Sequence, residues 1–581
     1  MVRIANETIA LVLIAASATM TANAQTRPAP GGALPGGLTG TPTVGTPVTG
    51  NPLLALPQVT EPRTSPNVTV QVEKQTSQLQ QLLATHLTPS KIQIDGVKAI
   101  PFSDVAQRFA ALVGKDITVG QLIETANDVT KLYQQRGYAL SFAFVPAQTF
   151  ENGVVRVTVV EGYVASINVT GKPGRAERKI REIAEHIRNE RPLRRATFER
   201  YINTLGLLPG ITVAATVPPP KTTDGATTLD LNVDRKPFNV GTGIDFHHPG
   251  VQGLVTATET SLTSLGEQLS VSALVPKGRD NQTYYAASGA LPIGSNGLVA
   301  RVDASHYHGN PVDNPGLPSY VQRTVVNDKL GVSAAYPLFL SNAHKVIGTV
   351  SGYASHDENS YLNTLNGAEI GLRSQVRVVQ AQIDYTEVET NQVRRASVNV
   401  AKAFDILGAS KSGDTNVPGA IETNPVSLTF VRTGVSFSQT NQWPLKIGTA
   451  VSFTSQYSPD SLPTSEQIAF GAQRFAQGYQ PGEASGDSGW GASFEVNRPI
   501  AIGMRYFQTF TPYVSFDMAR VYLHSGAPSP SKLSSVSLGL RLSDSKHYSL
   551  DLSIAKAVAD APIESPSRSP RVNATFSYQL F

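Results

Sequence analysis

The 581-residue chain is 40% hydrophobic, carries a formal net charge of +4 and contains no cysteine. This length exceeds that of one ordinary domain, and the small net charge gives no reason to expect nucleic acid as a partner. No run of 18 or more apolar residues follows the first thirty, which excludes a helical membrane protein, and the lack of cysteine excludes disulfides and thiolate-bound metals.

The N-terminus resembles a secretory signal. Arg3 precedes an apolar run at residues 9–16, and small residues around Asn23 offer a cleavage site. We therefore predict a signal peptide over residues 1–24 and export of the mature chain.

Two segments of different composition follow the signal peptide. Residues 25–66 are rich in glycine, proline and threonine and cannot bury enough apolar surface to order themselves, which predicts a linker. Leucines at helical spacing in residues 73–87 predict a short helix within the segment 67–90.

Residues 91–162 and 163–236 have the same order of patterns, a strand, two helices and two more strands. The helix faces are marked by apolar residues spaced three or four apart: Leu122, Ala126, Val129 and Tyr133 in the first unit, and Ile180, Ile183, Ala184 and Ile187 in the second. The chain therefore contains two copies of one small α+β domain.

Residues 237–581 alternate apolar and polar residues in short segments that are separated by glycine, asparagine, aspartate and proline. The last segment shows the pattern most clearly, with apolar residues on one face: Val572, Ala574, Phe576, Tyr578 and Leu580. Because the opposite positions stay polar throughout, a transmembrane β-barrel with a wet interior explains the pattern better than a soluble β-sandwich. At about 20 residues per strand with its turn, the region predicts a barrel of roughly 16 antiparallel strands. The fold class is therefore mainly β, a barrel preceded by two α+β domains.

Short motifs recur in a fixed order along the chain. The first unit contains Tyr133-x-x-x-Gly137-Tyr138, Pro146-Ala-Gln148, Gly153 and Val160-Glu161-Gly162. The second contains Pro192-Leu193, Phe198-Glu199-Arg200 and Leu207-Leu208-Pro209-Gly210. The barrel region contains Phe470-Gly471, Gly478-Tyr479, Gly486-Asp487, Gly489-Trp490 and, in a late strand, Asp517.

In these motifs and their order, residues 91–581 resemble the outer-membrane transporters of two-partner secretion, also called hemolysin secretion and activation proteins. The resemblance implies that both units are polypeptide-transport-associated (POTRA) domains in the periplasm. It also implies that they bind a secreted, unfolded exoprotein client through motif residues, namely Tyr138, Pro146, Gln148, Gly153, Glu161, Gly162, Leu208, Pro209 and Gly210.

The resemblance further implies a loop that folds back into the barrel, formed by Arg474, Phe475, Gln477, Gly478, Tyr479, Gly486 and Asp487. In the family an arginine precedes the Gly-aromatic pair and faces a strand aspartate, here Asp517; this chain has Gln477 at that position. We predict that either Gln477 or Arg474 meets Asp517. The alternative is that packing of Phe475 and Tyr479 alone holds the loop.

The resemblance also implies the location and partners. The protein is expected in the outer membrane of a Gram-negative bacterium, in contact with outer-membrane lipid, after insertion by the barrel-assembly machinery with the C-terminal Phe581 as the signal. The helix within residues 73–87 is the candidate for a pore plug. We expect no cofactor, metal or nucleic acid, and no Gly-x-x-x-x-Gly-Lys loop is present to bind a nucleotide.

Other functions fit the same residues less well. A barrel-assembly insertase usually carries more periplasmic repeats, and a passive porin does not need them. A barrel enzyme lacks a Gly-x-Ser-x-Gly elbow, and His247, His306 and His308 are interpreted as strand or loop residues. The mixed-charge helical surface at residues 175–200 is either a solvated face or a client contact.

Overall fold

A computed structural model describes residues 83–148, 153–246, 250–277, 281–311, 319–419, 422–472, 475–504, 506–524, 530–544 and 546–580. The predicted signal peptide, the linker 25–66 and most of the segment 67–90 lie outside these residues, as do Arg474 and Phe581. Within the described ranges, no helix is long and apolar enough to cross a membrane.

The first unit is a three-stranded sheet covered by two helices. Its elements are β1 (His86–Leu87), β2 (Lys91–Asp95), α1 (Phe102–Ala110), β3 (Ile117–Thr118), α2 (Val119–Gln135), β4 (Phe142–Phe144) and β5 (Val154–Val160). The sheet order is β2-β5-β4, and β2 runs parallel to β5. The predicted helix of residues 73–87 does not extend to its last residues, because His86 and Leu87 pair with Thr118 and Ile117 as strands.

The second unit repeats this topology with β6 (Tyr163–Gly171), α3 (Glu177–Asn189), α4 (Arg195–Leu205), β7 (Ile211–Thr216) and β8 (Ala226–Arg235). Its sheet order is β6-β8-β7, and β6 runs parallel to β8. The apolar stripe of α3 is fully buried, as its 3.6-residue period requires. Leu140 and Phe142 of the first unit belong to the same apolar core, so packing joins the two units.

The remaining chain forms a closed antiparallel barrel. Its strands up to the long inward loop are β9 (Phe238–Asp245), β10 (Gln252–Thr260), β11 (Gln268–Lys277), β12 (Thr283–Ile293), β13 (Leu298–Gly309), β14 (Val321–Leu340), β15 (His344–Asn363), β16 (Glu369–Val388), β17 (Gln392–Ala403, continued as Ser410–Thr415), β18 (Val431–Gln442) and β19 (Gly448–Tyr457). A small hairpin of β20 (Ile468–Phe470) and β21 (Ala484–Gly486) follows inside that loop. The barrel then closes with β22 (Ser488–Asn497, continued as Ile500–Ala501), β23 (Thr509–Tyr522), β24 (Lys532–Ser543), β25 (Tyr548–Ala557) and β26 (Arg571–Gln579).

The barrel has 16 strands, which confirms the predicted number. Eighteen strand segments form the ring, and two of them continue an interrupted neighbour: both parts of β17 pair with β16, and both parts of β22 pair with β23. The strands differ in length, because β14, β15 and β16 have 20 residues each whereas β25 has 10.

The faces of the barrel strands differ as the alternation predicts. In β26, Val572 is 57% exposed and points outward, whereas Arg571 and Ser577 are about 5% and 4% exposed and point into the bore. In β23, Val514 is outward and Asp517 inward. The outside is therefore apolar and the bore polar, as a barrel between lipid and water requires.

Candidate functional site

Residues 458–472 and 475–487, between β19 and β22, belong to a lumen loop that lies inside the bore. Aromatic and aliphatic side chains of the loop are buried against inward residues of β23, β24 and β25 in one apolar cluster: Ile468, Phe470, Phe475, Ala476, Tyr479 and Ala484 against Ala519, Val521, Leu533 and Ala557. The wall here is apolar where most inward positions are polar, so it forms a receiving surface for the loop.

Gly491 on β22 has no side chain, which lets the loop approach the wall. A Cβ atom on Gly491 would lie 2.7 Å from Phe470 Cε1 and 3.0 Å from Phe475 Cδ2. These two phenylalanine rings meet edge to face, with centroids 5.9 Å apart. Any larger residue at position 491 would therefore push the paired rings off the wall.

The loop tip, residues 475–480, lies beside Asp517. The backbone N–H of Gln477 donates to Asp517 Oδ2 at 3.4 Å, and Asn573 Nδ2 donates to the Gln477 carbonyl at 3.0 Å. The side-chain Oε1 of Gln477 is buried and has no hydrogen-bond partner among the described residues. Gln477 thus meets Asp517 through its backbone, and the pairing of Asp517 with Arg474 stays a prediction.

The two residues that follow complete the tip. A Cβ atom on Gly478 would lie 2.7 Å from the Ala557 backbone nitrogen, so only glycine fits between tip and wall. The Tyr479 ring is buried, and its hydroxyl donates to the Asp560 carbonyl at 2.7 Å. Packing of Phe475 and Tyr479 and the polar contact to Asp517 therefore occur together.

Asp487 fixes the base of the loop. Its Oδ1 accepts the Leu462 N–H and its Oδ2 accepts the His524 N–H, both at 2.8 Å. Gly486, one residue earlier, lies against the Tyr522 backbone. A buried carboxylate that accepts two amide bonds ties both ends of the loop to the same side of the barrel.

A second attachment, the Glu466 anchor, holds the loop to the other side of the bore. Glu466 forms an ion pair with Arg432 at 3.0 Å, and the Tyr353 hydroxyl donates one bifurcated bond to its two carboxylate oxygens, at 2.8 and 2.9 Å. Next to it, Ser465 donates its N–H and its hydroxyl to Asp357 at 3.1 and 2.7 Å. The sequence reasoning missed these five residues, because each is a lone polar residue on a strand or in a loop.

The two attachments lie on opposite walls. Asp357 and Tyr353 are on β15, the seventh barrel strand, and Ala557 at the tip is on β25, the fifteenth of 16. The loop therefore crosses the bore, with a buried ion pair at the Glu466 anchor and apolar packing with hydrogen bonds at the tip.

The motif residues of the first unit shape its interior. Glu161 Oε1 accepts the N–H groups of Lys98 and Ala99 at 2.7 Å each and the Tyr133 hydroxyl at 2.8 Å. Burial and this hydrogen bond raise the pKa of Tyr133. Gln148 bonds twice to the Arg156 backbone, at 2.8 Å each.

Other motif residues lie at contacts between elements. Tyr138 is buried, and the Arg194 guanidinium of the second unit lies 5.9 Å from its ring centroid. Gly162 packs on Leu140, and Gly153 packs on Ser90. Pro146, whose carbonyl accepts a bond from Gln148, follows β4 directly.

The Leu208-Pro209-Gly210 motif lies at the junction of the second unit and the barrel. Leu208 is buried in the core of the unit, and Gly210 lies against Thr260 and Lys236 at the start of the barrel. These positions give the motif residues contacts that maintain the shape of the units, and binding of the client through them stays a prediction.

The mixed-charge surface at residues 175–200 faces the barrel. Arg175 donates to the Leu262 carbonyl at 2.7 Å, His186 contacts the Ser295 hydroxyl at 2.8 Å, and Arg200 donates to the Tyr336 hydroxyl at 3.1 Å. The barrel partners lie in or beside turns at the end of the barrel nearest the units. Part of this surface is therefore a docking face, which neither sequence interpretation anticipated.

Comparison with known proteins identifies the family to which this architecture belongs. A family model described as haemolysin secretion/activation protein ShlB/FhaC/HecB matches residues 251–542, and one described as POTRA domain, ShlB-type matches residues 87–162. The heme/hemopexin transporter protein HuxB of Haemophilus influenzae is 20% identical over 508 residues, which cover 83% of this chain and 85% of HuxB.

Solved structures share the fold. CdiB from Escherichia coli superposes with a TM-score of 0.64 at 19% identity, covering 89% of this chain and 93% of CdiB. CdiB from Acinetobacter baumannii gives a TM-score of 0.57 at 14% identity, covering 89% and 94%.

Proposed function

Because the chain belongs to the haemolysin secretion/activation protein family ShlB/FhaC/HecB, an outer-membrane transporter family of two-partner secretion, we propose a capture-and-release mechanism for export of its client. The protein is an outer-membrane β-barrel that exports an exoprotein, with its POTRA units in the periplasm. The observation that supports our mechanism is the lumen loop, which crosses a polar bore between two unlike attachments.

Capture is assigned to a sheet edge of the first unit. Strand β2 (Lys91–Asp95) pairs on one side with β5, and no other described strand pairs with its outer side. Lys91, Gln93 and Asp95 are exposed on this edge. An extended, unfolded client adds here as a further strand through backbone hydrogen bonds, which makes recognition tolerant of client sequence and independent of nucleotide.

Passage requires the loop to clear the bore. The tip is held by apolar packing and by hydrogen bonds to Asp517, Asp560, Glu564 and Asn573, and none of its described residues forms an ion pair. The Glu466 anchor has a buried ion pair, a bifurcated bond from Tyr353 and two bonds from Ser465 to Asp357. Breaking a buried ion pair leaves charges unpaired in the bore, which is strongly destabilising. The tip therefore leaves first, and the loop turns about Ser465 and Glu466, which stay on the wall.

Insertion into the membrane is assigned to the C-terminal strand. β26 ends at Gln579, and Phe581, two residues further on, is the aromatic residue to which we assign recognition by the barrel-assembly machinery. Deletion of Phe581 is expected to lower the amount of folded barrel in outer membranes, measured by heat-modifiable electrophoretic mobility.

Site-specific crosslinking tests capture. A photo-crosslinking amino acid at Gln93 is expected to trap the exoprotein client when the two proteins are expressed together. The matched control is Glu124, an exposed position on α2 of the same unit. Equal crosslinking from both positions, or from neither while export continues, would contradict capture at β2.

Deletion of residues 91–235 separates export from other barrel functions. The truncated barrel is expected to lose export of the co-expressed client while it remains folded. A passive porin would keep solute uptake as its only measurable activity, and an insertase would instead lower the amounts of other outer-membrane barrels in the cell.

A further inference from the structure

Three cations form a patch on the outer face of the barrel at the end far from the units. Arg520 on β23, Lys532 on β24 and Lys556 on β25 are exposed and belong to the outward side of their strands. Arg520 and Lys532 are direct cross-strand partners, and Lys556 pairs with Val536 on the same outward face of β24. These three residues are called the cationic patch.

The protein does not neutralise the cationic patch from within. Among the described residues, no acidic side chain forms an ion pair with any of the three cations. The adjoining segment 523–531 contains no aspartate or glutamate in its sequence.

The two carboxylates of the neighbouring connection bond to groups other than the three cationic side chains. Asp560 Oδ2 accepts the backbone N–H groups of Ser531 and Lys532 at 2.9 Å each. Glu564 pairs with Arg571 and accepts a bond from Gln480 inside the bore. Like charges directly opposite each other on a sheet are destabilising, so an anion from outside the chain would stabilise Arg520 and Lys532.

The height of the patch along the barrel indicates what surrounds it in the membrane. Below Arg520 and Lys532, the same face is apolar, with Val514 and Phe516 about half exposed on β23. Lys556 lies level with Phe516, since both are opposite Val536. Arg520 lies eleven residues beyond Thr509, where β23 begins. At about 3.4 Å per residue and a tilt of about 40°, this places Arg520 roughly 28 Å above the start of the strand, just past an apolar band of about 25 Å.

We propose that the cationic patch binds the phosphate groups of an outer-leaflet glycolipid of the lipid A type. The outward direction of the side chains favours a lipid over a client, which travels inside the bore. Arg520 presents a planar donor fork suited to phosphate, and the Tyr522 ring, 5.0 Å from its guanidinium, supports it. Lys556, placed lower, extends its ammonium upward along the apolar surface.

Native mass spectrometry of the full-length protein in detergent tests the site, with diphosphorylated lipid A as the probe. The variant R520Q/K532Q/K556Q is expected to bind it on the order of 100-fold more weakly, about 2.8 kcal/mol at 1.4 kcal/mol per tenfold. Phosphate-free lipid A is expected to bind the natural protein and this variant equally.

A matched control removes three other cations, in R377Q/K402Q/K411Q. These groups donate to backbone carbonyls of Leu407, Thr429 and Val426, and the variant is expected to bind diphosphorylated lipid A like the natural protein. Heat-modifiable mobility reports that each variant is folded. Unchanged affinity of the folded patch variant, an equal loss in the control, or full displacement of lipid A by inorganic phosphate would overturn the proposal.

Discussion

Substitution of Glu466 by glutamine is expected to release the lumen loop. The neutral amide keeps the shape of the side chain but removes its charge, so Arg432 loses the ion pair at 3.0 Å. Both groups are buried, since their side chains are 2% and 13% exposed. In its resting position the loop keeps the Arg432 guanidinium buried inside the barrel. Without its carboxylate partner, that buried charge destabilises the resting position of the loop.

The size of the effect follows from the burial. Removing one partner of a buried ion pair costs about 3–5 kcal/mol when the other charge stays unpaired. Arg432 keeps hydrogen bonds to Gln456 at 3.3 Å and Gln380 at 3.2 Å, which lowers the penalty. We expect about 2 kcal/mol, which is a rise of about 30-fold in the population of the released loop.

Single-channel recording in planar bilayers measures this population as the fraction of time in the high-conductance state. The matched control is Glu358→Gln, which breaks a more exposed ion pair with Arg373 at 3.0 Å that does not involve the loop. It is expected to change the open fraction by less than about fivefold, because exposed pairs contribute about 0–1 kcal/mol.

The double variant E466Q/R432Q completes the test. Removing both partners leaves no unpaired charge, so its open fraction is expected to fall between those of the natural protein and the single variant. The reasoning is refuted if E466Q leaves the open fraction at the level of the Glu358→Gln control, or if the two substitutions simply add.

Three further outcomes are expected. Gly478→Val places side-chain atoms against the Ala557 backbone, so the loop tip should become susceptible to added protease in intact cells; resistance equal to that of the natural protein would contradict the tight fit. Asp487→Ala leaves two buried N–H groups unpaired and should lower stability by about 1–3 kcal/mol, seen as a lower temperature of the heat-modifiable mobility shift. Burial and its hydrogen bond to Glu161 raise the pKa of Tyr133 above the unfolded value, so its contribution to stability is complete below about pH 10 and declines as the pH rises further. Thermal unfolding at about pH 8 and about pH 11 should therefore show a smaller alkaline loss for Tyr133→Phe than for the natural protein, and an equal loss would exclude this titration.

The fold was accessible from the sequence because its signals are periodic. Alternation over residues such as Val572 to Leu580 reflects lipid on one side and water on the other, and most barrel strands show this contrast outside the wall that receives the lumen loop. The helix stripe of α3 is equally regular, and its residues Ile180, Ile183 and Ile187 are buried as predicted. A periodic pattern can be recognised without knowing which elements are neighbours in space, since each strand or helix carries its own pattern.

The Glu466 anchor was inaccessible for the opposite reason. The residues that bind Glu466, namely Arg432 and Tyr353, lie more than 30 positions before it in the sequence. No spacing rule connects a single glutamate in a loop to an arginine on one strand and a tyrosine on another. The family motif drew attention to Gln477, whereas the charged contact lies eleven residues earlier at Glu466.

The three 20-residue strands β14, β15 and β16 have a consequence for the exit from the bore. At about 3.3 Å per residue each reaches about 66 Å, roughly twice what a tilted strand needs to cross the hydrocarbon. The sector of the rim formed by these three strands therefore extends well beyond the lipid, while the sector around the ten-residue β25 does not. A polypeptide that emerges meets a preformed sheet on one flank and open water on the other, so the first stage of its folding outside the cell takes place beside an asymmetric scaffold.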